Sequence, residues 1–230
     1  MRWLRVALPA LLAACGQTTG ADILNVVAWP VPQIVGMIAA PSEREATWDG
    51  EASEAAPGET ALRLMLGSRR GIATLLQEEG ERRLWRTPGG VVVATEGARV
   101  VATAGLREVL AATRFDGADP LGRLAAGGDA GEGEWRGTRV VDVMRSGSDP
   151  ARMRFGVRLD CRMRAGAAAE DTVLVEETCR GDARFTNRFW ADARSGAVFR
   201  SEQWIGDGLP MLVVEILAMP AAAEVIPLPR

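Results

Sequence analysis

From residue 152 to residue 164 the chain alternates without a slip. Met153, Phe155, Val157, Leu159, Cys161 and Met163 hold the odd positions, and Arg152, Arg154, Gly156, Arg158, Asp160, Arg162 and Arg164 the even ones. A helix would scatter these apolar groups around its circumference, whereas a strand, whose side chains point alternately to opposite faces, collects them on one. The segment is therefore a half-buried strand, and its apolar face demands neighbours. Apolar runs at 62–66, 72–76, 84–86, 91–95 and 99–103 supply them, separated by turn signals at Gly67-Ser68, Glu79-Gly80, Pro88-Gly89-Gly90 and Glu96-Gly97. Further strands are expected at 184–192 and 197–204, joined by a hairpin at 193–196, and at 211–217. Residues 106–113 read as one or two helical turns, and 126–137 as a glycine-rich acidic loop. The fold class is mainly β: a strongly curved antiparallel sheet with one or two short helices.

The N-terminus reads as an address. Arg2 and Arg5 precede an apolar stretch from Val6 to Ala14, which ends in Leu12-Ala13-Ala14-Cys15. Nine apolar residues are too few to span a bilayer, and small residues before a cysteine form the lipobox of a lipoprotein signal peptide. Residues 1–14 are thus expected to be removed and Cys15 lipidated, with acyl chains holding the protein on a membrane. Losing Arg2 and Arg5 takes the formal charge from −3 to −5. Gly16 stands where an aspartate would signal retention in the inner membrane of a Gram-negative cell, so the expected location is the outer membrane with the body periplasmic. Residues 15–60 read as the lipidated end, a polar tether, a short helix starting near Pro32 and a loop. Residues 61–218 form the β-rich domain, and 219–230 a proline-rich tail.

Composition removes much chemistry. The chain has no His and no Tyr, and its 27 basic residues are all arginine. A Ser-His-Asp or Cys-His nucleophile, an imidazole metal ligand, a phosphate-loop lysine and a Schiff base are all excluded. No cofactor and no metal are expected. Net negative charge and an extracytoplasmic location exclude nucleic acid as a partner. Cys161 and Cys179 are the only cysteines left for an intramolecular pair, and an oxidising compartment makes them a disulfide, with two buried thiols as the alternative. If they face each other across an antiparallel pair, Arg164 falls opposite Glu176 on the outer face. Closing a loop of about 17 residues would stabilise the fold by roughly 3 kcal/mol.

One stretch carries a resemblance. Asn187, Phe189, Trp190, Asp192, Ser195 and Gly196, then Ser201, Gln203 and Trp204 before a closing apolar strand, are similar to the C-terminal signature of the YjbF/GfcB lipoproteins of group 4 capsule and exopolysaccharide loci. Thr103-Ala104-Gly105-Leu106 and Asp119-Pro120-Leu121 agree in order, so the resemblance runs in patches from about Ala61 to Leu217. The sequence departs from the pattern at Leu209-Pro210-Met211 and in lacking every tyrosine of the family. The resemblance implies a half-barrel sheet like that of lipoprotein-carrier folds and a non-catalytic accessory in polysaccharide export or assembly. Outer-membrane export proteins are the implied partners.

The candidate site residues follow from chemistry. The even-numbered row Arg152, Arg154, Arg158, Arg162 and Arg164, with Arg154, Arg158 and Arg162 at its centre, could bind the carboxylates of an acidic polysaccharide through guanidinium forks, or could simply solvate an outer face balanced by Glu176 and Asp160. Trp190 and Trp204 could stack on sugar rings or pack in the core. Asn187 and Gln203 could bond sugar hydroxyls or finish strand-edge hydrogen bonds. Two alternatives stay open. A carrier of a lipid or hydrophobic ligand would need an unfilled apolar cavity, and a glycosidase would need two of Asp192, Glu202 and Glu215 in an open groove.

Overall fold

The computed structural model describes residues 48, 60–128, 133–144 and 153–218. The expected signal peptide, Cys15, tether, proline-started helix, Arg152 and C-terminal tail lie outside these residues. Twelve strands occur in chain order: β1 (Ala61–Leu66), β2 (Arg69–Glu79), β3 (Arg82–Arg86), β4 (Val92–Glu96), β5 (Arg99–Ala104), β6 (Val109–Gly117), β7 (Glu134–Met144), β8 (Met153–Ala169), β9 (Thr172–Gly181), β10 (Arg184–Asp192), β11 (Val198–Gln203) and β12 (Leu212–Ala218). A single helix among the described residues, α1 (Pro120–Ala125), lies between β6 and β7.

All twelve strands belong to one antiparallel sheet in the order β5-β4-β3-β2-β1-β12-β11-β10-β9-β8-β7-β6. Two meanders are joined where β1 pairs with β12, for example Leu64 with Val214. The sheet curls until its edge strands, β5 and β6, stand beside each other as a nearly closed barrel. At that seam the amide of Leu110 donates to the Thr103 side-chain oxygen at 3.0 Å.

The expected register holds. Cys161 opposes Cys179 and is joined to it by a disulfide, and Arg164 opposes Glu176. Alternation persists from Val157 to Met163, where odd residues are buried and even ones exposed. It breaks at Gly156, which adopts φ +62° while the β7–β8 register shifts between Val141 and Val143. Glycine pays no Cβ penalty in that left-handed conformation, so the strand bulges there. Phe155, expected on the buried face, is consequently 53% exposed.

Residues 106–113 do not form helical turns. Gly105 turns the chain, residues 105–108 bend, and β6 runs from Val109 paired with Met144 of β7. The spacing of Leu106 and Leu110 suited a helix, but both side chains are buried in the barrel from a loop and a strand. The expected loop at 126–137 is shorter, because β7 already starts at Glu134. The helix instead follows Asp119, whose carboxylate caps it by accepting from the Leu121 amide, with Pro120 in the first turn.

Leu62, Leu64, Leu66, Leu110, Leu159 and Leu212 fill the interior, each contributing about 1.5–3 kcal/mol by burial. Phe185 and Trp204 stack there with ring centres 4.6 Å apart. At the end where β1 begins, Leu121 and Leu124 of α1 pack on Val175, Phe189 and Ala191. The β10–β11 hairpin reaches this helix so closely that a Cβ on Gly196 would overlap the Leu124 carbonyl.

Candidate functional site

Polar groups inside a barrel must find partners or destabilise it. On β9 the inward positions read Val175, Glu177, Cys179, so strand alternation drives a carboxylate into the core, where it is fully buried. Four hydrogen bonds meet it. Arg139 of β7 donates from Nη2 to both carboxylate oxygens at 2.9 and 2.8 Å. Arg99 of β5 donates from Nη1 at 3.0 Å, and Asn187 of β10 from Nδ2 at 2.8 Å. Arg99 also grips Asp119 bidentately, with both bonds at 3.0 Å, and lies over the rings of Phe115 and Phe189 at 4.7 and 5.3 Å. Two guanidiniums thus face two carboxylates, and the cluster is neutral. Burial disfavours the charge on Glu177, but Arg99 and Arg139 outweigh it and hold the carboxyl below its usual range.

The cluster ties distant parts of the chain together. Through Asp119 it fixes the start of α1, and the Asn187 side-chain oxygen accepts from the Trp204 amide at 2.8 Å. Nearby, Gln203 of β11 serves the edge of β5, accepting from the Val100 amide and donating to the Ala98 carbonyl, both at 2.9 Å. Protein donors occupy the Glu177 carboxylate, which is closed to solvent.

The outer face is charged in ordered rows. Across β11, β10, β9, β8 and β7, cross-strand pairing aligns Glu202, Arg188, Glu176, Arg164 and Glu134. Arg188 bonds Glu176 at 3.0 Å and approaches Glu202 at 3.6 Å, while Arg164 bonds Glu134 at 3.0 Å. Arg136 and Arg162 also converge on Glu134, at 3.1 and 3.8 Å. The bond from Arg164 holds the Glu134 carboxyl below its usual range, with Arg136 and Arg162 adding to the effect.

The candidate residues separate. Arg158 and Arg162 lie exposed on the outer face of β8. Arg154, before the Gly156 bulge, instead reaches Asp207 at 2.8 Å. Trp190 is partly buried, with the Arg200 guanidinium 5.5 Å from its ring centre. Asn187 and Trp204 are interior, at 1% and 8% exposure. The three carboxylates weighed for hydrolysis have other duties. Asp192 accepts from Ser195 and Arg194 in the hairpin, while Glu202 and Glu215 both pair with Arg200.

Arg99, Arg139 and Glu177 are not among the candidate residues read from the sequence, and Asp119 figures there only within Asp119-Pro120-Leu121. The signal available was a carboxylate at odd position 177, on the same parity as Val175 and Cys179. Glu177 and the two cysteines place three potential metal-ligand atoms within 4.8 Å of one another. The sulfurs are joined as a disulfide and the carboxylate serves two arginines, so this set does not suit a metal ion.

Comparison with known proteins supplies the remaining finding. No curated protein matches the chain at a significant level. The fold is similar to that of the crystal structure of the hypothetical lipoprotein YmcC from Escherichia coli (K12), with a TM-score of 0.54 and 19% identity, covering 89% of this chain and 99% of that one. The profile described as group 4 capsule polysaccharide lipoprotein GfcB, YjbF matches residues 54–217, from before β1 into β12. The chain therefore belongs to the YjbF/GfcB family of capsule polysaccharide lipoproteins.

Proposed function

We propose that this protein is a non-catalytic accessory in the export or assembly of a capsule or exopolysaccharide, held on the outer membrane through lipidated Cys15 with its body in the periplasm. It works by contact, presenting its outer sheet face to acidic polysaccharide and to export proteins. Exposed arginines such as Arg158 and Arg162 supply guanidinium forks for that contact, and Trp190, farther along the outer face, an indole face.

The observation that carries this reading is the occupied interior. The charged groups of the Glu177 cluster neutralise one another, Met163 and Phe189 lie against Arg99, and Leu64, Leu110 and Leu159 are fully buried elsewhere in the interior. A cleft of about 40 Å³ lined by residues including Trp85, Phe199 and Ile216 has room for a few water molecules, far less than a lipid carrier needs. Among the described residues, the surface open to a large partner is the outside of the barrel. Family membership supplies the polysaccharide context.

Deletion of the gene, with secreted polysaccharide as the readout, tests the role. Secretion is expected to fall, to return with the wild-type gene, and to return poorly with Cys15→Ser. Unchanged secretion in the deletion strain would refute the proposal.

A further inference from the structure

Geometry sorts the outward arginines of β6–β10 into two groups. Arg136, Arg162 and Arg164 share Glu134, and Arg188 lies between Glu176 and Glu202. Arg114, Arg158, Arg180 and Arg184 are exposed and make no ion pair or side-chain hydrogen bond among the described residues. The register gathers these four. Arg184 on β10 directly opposes Arg180 on β9, and Arg180 opposes Asp160 on β8. Arg158 lies two residues along β8 from Asp160, and its β7 partner Val140 is in turn the partner of Arg114 on β6.

Like charges placed directly opposite destabilise a sheet, and an exposed strand position accepts any polar side chain. A guanidinium pair that no carboxylate bridges is therefore a local conflict that folding does not require, the kind of departure that marks a functional surface. Three carboxylates share the neighbourhood: Asp160 beside Arg180, Asp116 opposite Thr138, and Asp182 in the β9–β10 turn. None of them makes an ion pair with the four arginines.

We propose that Arg158, Arg180 and Arg184, with Arg114 at the margin, form the carboxylate-binding site for an acidic polysaccharide, an assignment that rests on the export role proposed above. Each guanidinium fork matches a carboxylate bidentately. Strands about 4.8 Å apart spread the site over roughly 20 Å from β6 to β10, enough to meet several sugar units at once. The next row holds Thr178 and Thr186, whose hydroxyls lie 3.1 Å apart and suit sugar hydroxyls. A bilayer contact would instead combine such charge with apolar anchors, and the strand positions between these arginines are Thr138, Val140 and Asp160.

The test is affinity electrophoresis of the full chain carrying Cys15→Ser in gels containing polygalacturonate, with dextran as the neutral comparison. Polygalacturonate is expected to retard the protein, less so as salt rises, and dextran is not. Arg158→Gln/Arg180→Gln/Arg184→Gln is expected to weaken binding by at least about tenfold. Arg136→Gln/Arg164→Gln/Arg188→Gln, with the same change in net charge and each residue already paired to a carboxylate, is expected to bind like wild type. Equal weakening by both triple variants, no retardation of wild type, or equal loss of binding to phosphatidylglycerol vesicles would overturn the assignment. The gene deletion reads the export role separately. A deletion without phenotype removes that role, whereas a clear deletion phenotype beside undiminished binding by the first triple variant removes only this site.

Discussion

Replacing Glu177 by glutamine changes the side chain's shape little and the balance of the interior greatly. One of the two negative charges facing Arg99 and Arg139 disappears, leaving one buried guanidinium without a counter-ion. Four donated bonds converge on the carboxylate, and an amide has a single oxygen to receive them. Breaking a buried ion pair from one side costs about 3–5 kcal/mol. Against a total stability of roughly 5–15 kcal/mol, Glu177→Gln is expected to lower Tm by about 10 °C or more. Thermal unfolding followed by the fluorescence of buried Trp85 and Trp204 measures the Tm, and urea unfolding the free energy. Glu177→Gln/Arg139→Gln restores neutrality, so the double variant is expected to be more stable than the two single losses added together would allow. A single-variant cost below about 1 kcal/mol, or strict additivity in the cycle, would refute the charge-balance argument. The acid limb supplies a second readout. Because the folded carboxyl titrates below its unfolded value, its contribution is fully present above the ordinary glutamate pKa and is lost as pH falls through the depressed one. Glu177→Gln removes that part of the acid slope.

Three further outcomes are expected. Cys161→Ser/Cys179→Ser, or reduction of the wild type, should cost roughly 3 kcal/mol in urea unfolding, since the bond closes a loop with a sequence separation of 18. Gly196→Ala should destabilise by more than about 2 kcal/mol, because φ is +69° and the new Cβ would meet the Leu124 carbonyl; a change below 0.5 kcal/mol by calorimetry would mean that the hairpin and α1 are not in contact. Gln203→Leu should cost about 1–3 kcal/mol and accelerate hydrogen exchange at the Val100 amide, whose acceptor it removes; unchanged exchange there would deny the bond.

The sheet was legible wherever local pattern sufficed. Period-two alternation identified β8, glycine-bearing turns divided β1 from β5, and opposing the two cysteines gave the β8–β9 register, Arg164 across from Glu176 included. The misses have physical causes. Gly156 looked like one more even position, because a bulge depends on backbone torsion that alternation does not encode. Leu106 and Leu110 carry a helical spacing, yet β6 gains its ladder from β7, more than twenty residues later. At the buried cluster, parity alone exposes Glu177 as an inward carboxylate. Its partners come from β5 and β7, 78 and 38 residues away, and such closure is a property of topology rather than of neighbours in sequence. The same holds for the outward arginines, whose grouping depends on which carboxylate the register brings beside them.

The side-chain amide of Gln203 has a consequence for how the molecule comes apart. Eleven ladders of main-chain bonds join the twelve strands, whereas β5 is held along its free edge by side chains, the Gln203 amide and its own Thr103 hydroxyl among them. A stave fastened by a few pegs loosens before one glued along its length, so the cylinder has a built-in place to unzip, and that place adjoins Arg99, where the buried charges are moored.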